Sequence, residues 1–214
     1  MTLYNKFLLT ASIVLIVALI SAGIYLAVSP EYFRHAVSLI DKSMPPALFI
    51  ALMVILPVVG FPISVFLIMG GIKFGIFYAS LLWLIILPVH ALIGYYLAGR
   101  LRVPMKRFFY KMGYPIPELP EKGVAPFSFL FLAIPGIPYG GKNYLLPLAG
   151  VPFSYCVLMN VAVQWPQGIP FIVLGRSIMD LDLTLFYIAL ALIVLLYIFL
   201  RWLKRKYGNI EYSP

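Results

Sequence analysis

Charged residues and cysteine are both scarce in this chain. Asp, Glu, Lys and Arg make up 11% of the 214 residues, whereas hydrophobic residues make up 63%. An ordinary globular domain has about 25% charged residues, and one water-soluble core of this size cannot bury so much apolar surface. The composition therefore predicts a polytopic integral membrane protein, with the bilayer as solvent for most of the chain. The single cysteine, Cys156, excludes an internal disulfide.

Acidic residues are the scarcest charged group, and this scarcity excludes several enzyme classes. All 7 acidic residues lie in predicted loops or tails, so an intramembrane aspartyl dyad is excluded. His35 and His90 stand far apart without the H-E-x-x-H pattern of a metalloprotease. A nucleophile pair of Ser64 and His90 would lack the Gly-x-Ser-x-Gly elbow. We therefore expect no enzymatic activity, no metal site and no cofactor.

The formal net charge of +9 comes from 16 basic residues that gather beside hydrophobic runs. Nucleic-acid-binding proteins carry such residues on a folded polar face, so we expect no nucleic-acid partner. Basic residues next to membrane segments favour membrane lipids, and a lipid phosphate in particular, as partners. These features do not determine the oligomeric state, and a homo-oligomer is one alternative.

Four segments are long enough to cross a hydrocarbon core, which takes about 20 apolar residues. They cover approximately residues 7–28, 73–98, 152–175 and 184–202. The first resembles a signal peptide, but its apolar stretch exceeds the roughly 7–15 residues of a cleaved one. We therefore expect it to be a retained span.

Two further apolar segments are broken by paired prolines, which remove backbone donors and stop a helix. The first covers 47–56, is broken between Pro57 and Pro62, resumes over 63–69 and ends at Gly70-Gly71; the second covers 124–134, is broken between Pro135 and Pro138, and continues to Gly150. Each half is too short to cross the membrane alone. The pattern predicts two re-entrant helical hairpins, and the alternative is a kinked full span in each case.

Basic loops predict the orientation of these segments. Five basic residues lie between Arg100 and Lys111 and four between Arg201 and Lys206, whereas Asp180 and Asp182 mark the turn between the last two spans. The positive-inside rule places both basic clusters, and hence both termini, in the cytoplasm of a multi-pass cell-membrane protein. The first hairpin then opens to the outside and the second to the cytoplasm.

The two hairpins enter from opposite faces and are each followed by a long span, so they form an inverted repeat. The predicted fold is an all-α membrane protein with this repeat between N- and C-terminal spanning helices. Its parts are an N-terminal helix with an external segment (1–45), a core with both hairpins (46–178), and a C-terminal helix with a basic tail (179–214). Inverted repeats with broken helices are a recurring transporter design.

Ordered proline, glycine and Asn-Tyr motifs of the core resemble those of the DedA/VTT-domain family, also called SNARE-associated Golgi proteins. The resemblance covers roughly residues 46–178. Its motifs are Leu56-Pro57 through Pro62, Gly70-Gly71 through Gly75, Gly94, Gly99-Arg100, Ile134 through Pro138, Asn143-Tyr144, Ala149 through Phe153, Pro166, and Leu174-Gly175-Arg176.

This resemblance implies two opposed re-entrant hairpins and a role in moving lipids between leaflets. Bacterial members are implicated in returning polyprenyl-phosphate carriers, and eukaryotic relatives act as phospholipid scramblases. The chain departs from the family pattern in two ways. Ala133 stands where many relatives have arginine, and the first hairpin has no acidic residue. Proton coupling through carboxylates is therefore not expected.

Lys142 is the most informative single residue, because a lysine at membrane depth costs roughly 2.5–3.5 kcal/mol. It either attracts a lipid phosphate as a point charge or snorkels to headgroups. Ser64 lies at the same offset from Pro57 as Lys142 from Pro135, and its favoured role is helix capping. His90 either shuttles protons or, the favoured interpretation, bonds a carbonyl freed by a proline kink.

The remaining candidates come from the hairpins and the later spans. Gln164 sits in a proline-containing segment, 164–168, that is expected to interrupt the third span, and Arg176 either meets a phosphate at the outer face or snorkels. The complete set of transport residues is Pro57, Gly60, Pro62, Ser64, His90, Pro135, Gly136, Pro138, Lys142, Asn143, Tyr144, Gln164 and Arg176.

The leading hypothesis is a transporter that moves an amphipathic lipid, above all a polyprenyl-phosphate carrier and otherwise a phospholipid, between leaflets. A channel or exchanger for a small ion or solute fits the hairpins equally well. A membrane scaffold is the third alternative, although a scaffold has no evident need for broken helices at the midplane.

Overall fold

A computed structural model describes residues 44–111, 113, 116–120, 123–133 and 137–207, with only the backbone of Lys204, Lys206 and Tyr207. The described residues form helices and no strand. The helices are α1 (Pro46–Val58), α2 (Ile63–Arg100), α3 (Arg102–Lys111), α4 (Val124–Ala133), α5 (Tyr139–Leu148), α6 (Phe153–Asp180) and α7 (Leu183–Tyr207). The expected span at 7–28, Pro135 and Gly136 lie outside the described residues.

Prolines and a glycine define the first helix pair. Helix α1 begins at Pro46, where a missing N–H is harmless, and ends one residue after Pro57. Gly60, with φ 100°, turns the chain before α2 starts after Pro62. The ring of Phe49 packs edge-on against those of Phe66 and Phe74, with centroids 5.8 and 5.4 Å away. Helix α1 therefore folds back along the beginning of α2.

Helix α2 is divided at Gly75, whose φ of 73° and ψ of 176° are not helical. The expected helix end at Gly70-Gly71 is wrong, since the helix continues through both residues to 74. These glycines serve close packing instead: a methyl group at Gly71 would lie 2.1 Å from the Ile172 carbonyl oxygen. The predicted span at 73–98 corresponds to the second part of α2, residues 76–100.

The second broken segment also folds as two helices, α4 and α5, which lie on either side of residues 134–138. Helix α5 begins after Pro138 and is followed by Gly150, whose φ is 96°. The first part of α2 and helix α5 thus share a proline before their start and a glycine in the left-handed region after their end.

Helix α6 is continuous from Phe153 to Asp180 and contains Pro166 and Pro170. The predicted interruption at 164–168 is therefore wrong. Neighbouring helices can satisfy the carbonyls that prolines leave free in a long helix, which is why such helices persist in membranes. Its predicted end at 175 lies five residues too early, because α6 runs on to Asp180.

Among the described residues, three helices are long and apolar enough to cross a membrane: Ile63–Arg100, Phe153–Asp180 and the Leu183–Leu203 part of α7. Helix α7 exposes large side chains along its length, among them Leu195 and Ile198. Exposed apolar side chains on a long helix suit contact with lipid tails, so these helices fit a multi-pass membrane protein.

The two ends of the molecule differ in charge. At one end, Phe109 of α3 and Leu203 of α7 share an apolar cluster, which brings the two basic segments together. At the other end, Arg176 pairs with Asp180 beside Gly75. Arg102 donates to the Leu148 carbonyl, 3.5 Å away, so α5 ends at the basic end. The first part of α2 ends at the opposite, Asp180 end.

Candidate functional site

A cavity of about 490 Å³ lies where the first part of α2 and helix α5 both begin. We call it the central cavity. Both breaks in the chain contribute to it, and α6 closes it from the side. Its lining residues are Gly60, Phe61, Pro62, Ile63, Ser64, Leu67, Trp83, Pro138, Tyr139, Gly140, Lys142, Gln164, Gln167, Gly168 and Phe171. Six of the predicted transport residues are among them.

Two helix N-termini converge on the central cavity. Pro62 and Pro138 precede the two helices, and no side chain caps either start. The capping role expected for Ser64 is thus not seen; Ser64 lines the cavity. Uncapped first-turn N–H groups and the helix dipole give such a start a partial positive charge. Two of them facing one space favour a negatively charged group there.

Lys142 adds a formal charge to the wall of this cavity. Its side chain is 6% exposed, and its Nζ donates to the Leu132 carbonyl at 2.5 Å. Within the described residues it has no carboxylate partner. An ammonium has three N–H donors, so one hydrogen bond leaves two for another acceptor. The snorkelling alternative fits poorly with a side chain buried to this extent.

Gln164 adds a further donor without a partner. Its Nε2 is buried and has no hydrogen bond within the described residues. Its backbone carbonyl accepts from Trp83 Nε1 at 3.2 Å, which holds α6 against the second part of α2. A methyl group at Gly168 would lie 2.3 Å from the same indole nitrogen, so glycine is required for this approach. The wall is therefore rich in donors.

The rim of the central cavity is apolar. Gly60, Phe61, Pro62 and Pro138 are exposed, and the Phe61 side chain is 42% exposed. An apolar rim around a donor-rich interior suits a molecule with a polar head and an apolar tail. It is less suited to a fully hydrated ion, which would contact these side chains on entry.

A second, much smaller pocket of about 10 Å³ lies beside the cavity, against the flank of α5; we call it the Asn143 pocket. His90 bridges it, with Nε2 3.0 Å from the Val54 carbonyl and Nδ1 2.7 Å from the Tyr139 hydroxyl. The Val54 carbonyl belongs to α1, so His90 contacts a different helix from the one that contains Pro88. Pro57, Asn143 and Tyr144 also line this pocket.

Asn143 and Tyr144 both bond backbone groups as well as lining the Asn143 pocket. Asn143 Nδ2 donates to the Tyr139 carbonyl at 3.4 Å, and the Tyr144 hydroxyl donates to the Val58 carbonyl at 2.6 Å. The second bond joins α5 to the end of α1 across 86 residues of sequence. The two alternatives considered for these residues, cavity lining and backbone satisfaction, therefore coexist.

Arg176 is separate from both spaces. Its Nε lies 2.6 Å from Asp180 Oδ2, and both side chains are 38% exposed. Pro135 and Gly136 lie outside the described residues. Within the described part of the chain, no group of three or more His, Cys, Asp or Glu side chains could hold a metal ion.

Trp83 and Tyr139 were missed by the sequence analysis. Trp83 lines the central cavity and donates to Gln164, while Tyr139 lines both spaces and bonds His90. A signal was present for each, since tryptophan and tyrosine carry a polar group that needs a partner when buried.

Among the proteins of known family, curated function or solved structure, none is significantly similar to this chain.

Proposed function

We propose that this chain is a membrane transporter that moves a lipid phosphate, a polyprenyl-phosphate carrier in the first instance, between the two leaflets. The observation that carries the proposal is the central cavity, where Lys142 and two uncapped helix starts face one space of about 490 Å³. A phosphate is an anion with several acceptor oxygens, and helix N-termini with a cation bind it well.

The proposal includes two re-entrant hairpins related by an inverted repeat. Helices α1, α4 and α5 have 13, 10 and 10 residues. At about 1.5 Å per residue they reach roughly 15–20 Å, short of a hydrocarbon core of about 30 Å. The first part of α2 and helix α5 start at the same cavity and end at opposite ends of the molecule, as opposed hairpins would.

Reciprocal packing supports the inverted repeat. The first part of α2 packs on α6, where a methyl group at Gly175 would lie 2.0 Å from the Ile68 carbonyl oxygen. Helix α5 packs in turn on the second part of α2, where a methyl group at Gly94 would lie 2.5 Å from the Asn143 carbonyl oxygen. The second short helix of each repeat thus lies against the long helix of the other repeat.

The basic end of the molecule belongs in the cytoplasm under this proposal. Arg100, Arg102, Lys106 and Arg107 lie at the end where α7 also finishes, and Asp180 and Asp182 lie at the other end. This arrangement agrees with the positive-inside rule and supports a cytoplasmic location for the basic end of α7. Membership of the DedA/VTT-domain family belongs to the same proposal, on the motifs described above.

The apolar rim favours a lipid over a small inorganic anion. Phe61 and Pro62 are exposed at the mouth, so the tail of a lipid can remain outside while its phosphate reaches Lys142. The long exposed apolar faces of the neighbouring helices would contact the same tail.

Leaflet translocation in proteoliposomes tests this function. Labelled polyprenyl phosphate, phosphatidylglycerol and phosphatidylcholine would be placed in one leaflet and followed to the other, with and without a pH gradient. We expect movement of the polyprenyl phosphate above that in protein-free vesicles, with the zwitterionic lipid moving least because the cavity wall is rich in donors.

Equal movement of all three lipids would replace the proposed carrier with a general phospholipid scramblase. If no lipid moves, lipid transport is wrong, and phosphate or sulfate exchange measured in the same vesicles would separate a solute exchanger from a scaffold.

A further inference from the structure

The Asn143 pocket combines features that the proposed lipid site does not use. It lies beside the central cavity, shares Tyr139 and Gly140 with it, and has room for about 10 Å³. Such a volume holds roughly one water-sized particle. Asn143 is 5% exposed, and its Oδ1 has no hydrogen-bond partner within the described residues. A buried acceptor without a donor is costly, so a ligand that supplies positive charge would be favoured.

The side-chain donors of His90, Tyr139 and Tyr144 are already used in other hydrogen bonds. The Val54 carbonyl can only accept, so His90 Nε2 must carry the hydrogen that it donates at 3.0 Å. Neutral His90 then accepts at Nδ1, and the Tyr139 hydroxyl is the donor at 2.7 Å. The Tyr144 hydroxyl donates to the Val58 carbonyl at 2.6 Å. Neither tyrosine has a hydrogen left for Asn143.

The orientation of the Asn143 amide follows from its other bond. Its Nδ2 donates to the Tyr139 carbonyl at 3.4 Å, and the reversed amide would set two acceptors against each other. Oδ1 is therefore the atom on the other side. Asn143, Tyr139 and Tyr144, which all line the pocket, thus bring neutral side-chain oxygens to its wall.

Backbone dipoles add to this preference. Pro57 and Val58 form the last turn of α1, whose C-terminus carries partial negative charge. Tyr139, Gly140, Asn143 and Tyr144 lie on one flank of α5, whose peptide dipoles run roughly parallel to the helix axis. Half-helix C-termini and free carbonyls coordinate Na⁺ in transporters built from broken helices.

We propose that the Asn143 pocket binds one dehydrated Na⁺ ion. Hard cations take oxygen ligands, and the lack of a carboxylate among the residues that line the pocket suits a single charge better than Ca²⁺ or Mg²⁺. A cation here lies next to the space proposed for the lipid phosphate. If that function is correct, each ligand raises the affinity for the other by the same factor.

The test measures Na⁺ binding without any lipid substrate, so that it stands apart from the transport proposal. The purified chain in detergent is titrated with NaCl, replaced by choline chloride at constant ionic strength, and the unfolding midpoint is followed. Binding of ²²Na⁺ is measured in parallel. We expect a saturable rise of the midpoint with Na⁺, absent with choline, and saturable ²²Na⁺ binding.

Asn160 supplies a matched control. It is 1% exposed, its Nδ2 donates to the carbonyl four residues earlier at 2.8 Å, and its Oδ1 also has no partner in the described structure. It does not line the Asn143 pocket. Asn143→Leu is expected to weaken Na⁺ binding by about tenfold or more, whereas Asn160→Leu leaves it unchanged.

Asn143→Asp keeps the shape and adds a charge, so it is expected to bind Na⁺ more tightly than the parent chain. This variant decides the matter if Asn143→Leu does not fold. An unfolding midpoint that rises equally with choline, or Na⁺ binding that Asn143→Asp leaves unchanged, would mean that the pocket holds water and would overturn the proposal. Saturable Na⁺ binding without lipid movement would overturn only the transport function.

Discussion

Replacing Lys142 with methionine removes the one formal charge among the described residues that line the central cavity, while keeping an unbranched side chain. Lys142 is 6% exposed and its ammonium donates to the Leu132 carbonyl. A hydrogen bond between a charged group and a ligand contributes about 1.5–3 kcal/mol. At about 1.4 kcal/mol per factor of ten, Lys142→Met should weaken the binding of polyprenyl phosphate roughly 10- to 100-fold.

The same substitution should leave the fold intact, because two effects oppose each other. Loss of the ammonium leaves the Leu132 carbonyl without its partner, which costs about 1–3 kcal/mol. Removal of a charge at membrane depth returns roughly 2.5–3.5 kcal/mol. The two ranges leave a net change in stability between a loss of about 0.5 kcal/mol and a gain of about 2.5 kcal/mol.

Native mass spectrometry of the detergent-solubilised chain measures this binding, with the unfolding midpoint as a check on folding. Lys106→Met is the matched control, since it removes the same charge from an exposed position on α3. A folded Lys142→Met chain that binds polyprenyl phosphate as tightly as the Lys106→Met control would refute the role given to Lys142.

Three further predictions concern packing, hydrogen bonding and orientation. Gly71→Ala should destabilise the chain by about 1–3 kcal/mol because its methyl group meets the Ile172 carbonyl. Gly99→Ala is the control and should not destabilise it, because Gly99 has open space around it. The unfolding midpoints of the two variants measure the difference. His90→Phe should cost about 1–3 kcal/mol by leaving the Val54 carbonyl and the Tyr139 hydroxyl without their partner, and unfolding of the purified variant measures it. In a Cys156→Ala background, Lys106→Cys should react with a membrane-impermeant maleimide only from the cytoplasm and Asp182→Cys only from outside; the opposite pattern would reverse the proposed topology.

The breaks in the chain were predictable from its prolines, and the exact helix ends were not. Helices α1 and α4 end next to Pro57–Pro62 and Pro135–Pro138, as the local chemistry of proline predicts, although Pro166 and Pro170 do not stop α6. The same argument from local sequence predicted a helix end at Gly70-Gly71, yet the helix continues through both residues. Glycine in a helix costs only about 1 kcal/mol, and close packing on the Ile172 carbonyl compensates for it.

The central cavity was predictable only in part. Lys142, Ser64 and Gln164 stood out because polar residues in apolar segments are rare. The pairing of Trp83 with Gln164 joins residues 81 positions apart, and that of Tyr144 with Val58 spans 86. Such contacts depend on how the helices pack, which no local pattern in the sequence encodes. The two separate spaces and the residues that they share, Tyr139 and Gly140, follow from that packing alone.

Photochemical cross-linking from the central cavity tests most directly whether a lipid phosphate occupies it. A photoreactive benzoyl-phenylalanine would replace Phe171, which lines the cavity, and in a second chain Ile198, which is 56% exposed on α7. The account predicts that the group at 171 labels polyprenyl phosphate far more than phosphatidylcholine, and that Lys142→Met abolishes this preference. The group at 198 should label both lipids alike. Equal labelling of the two lipids from position 171 would contradict the account.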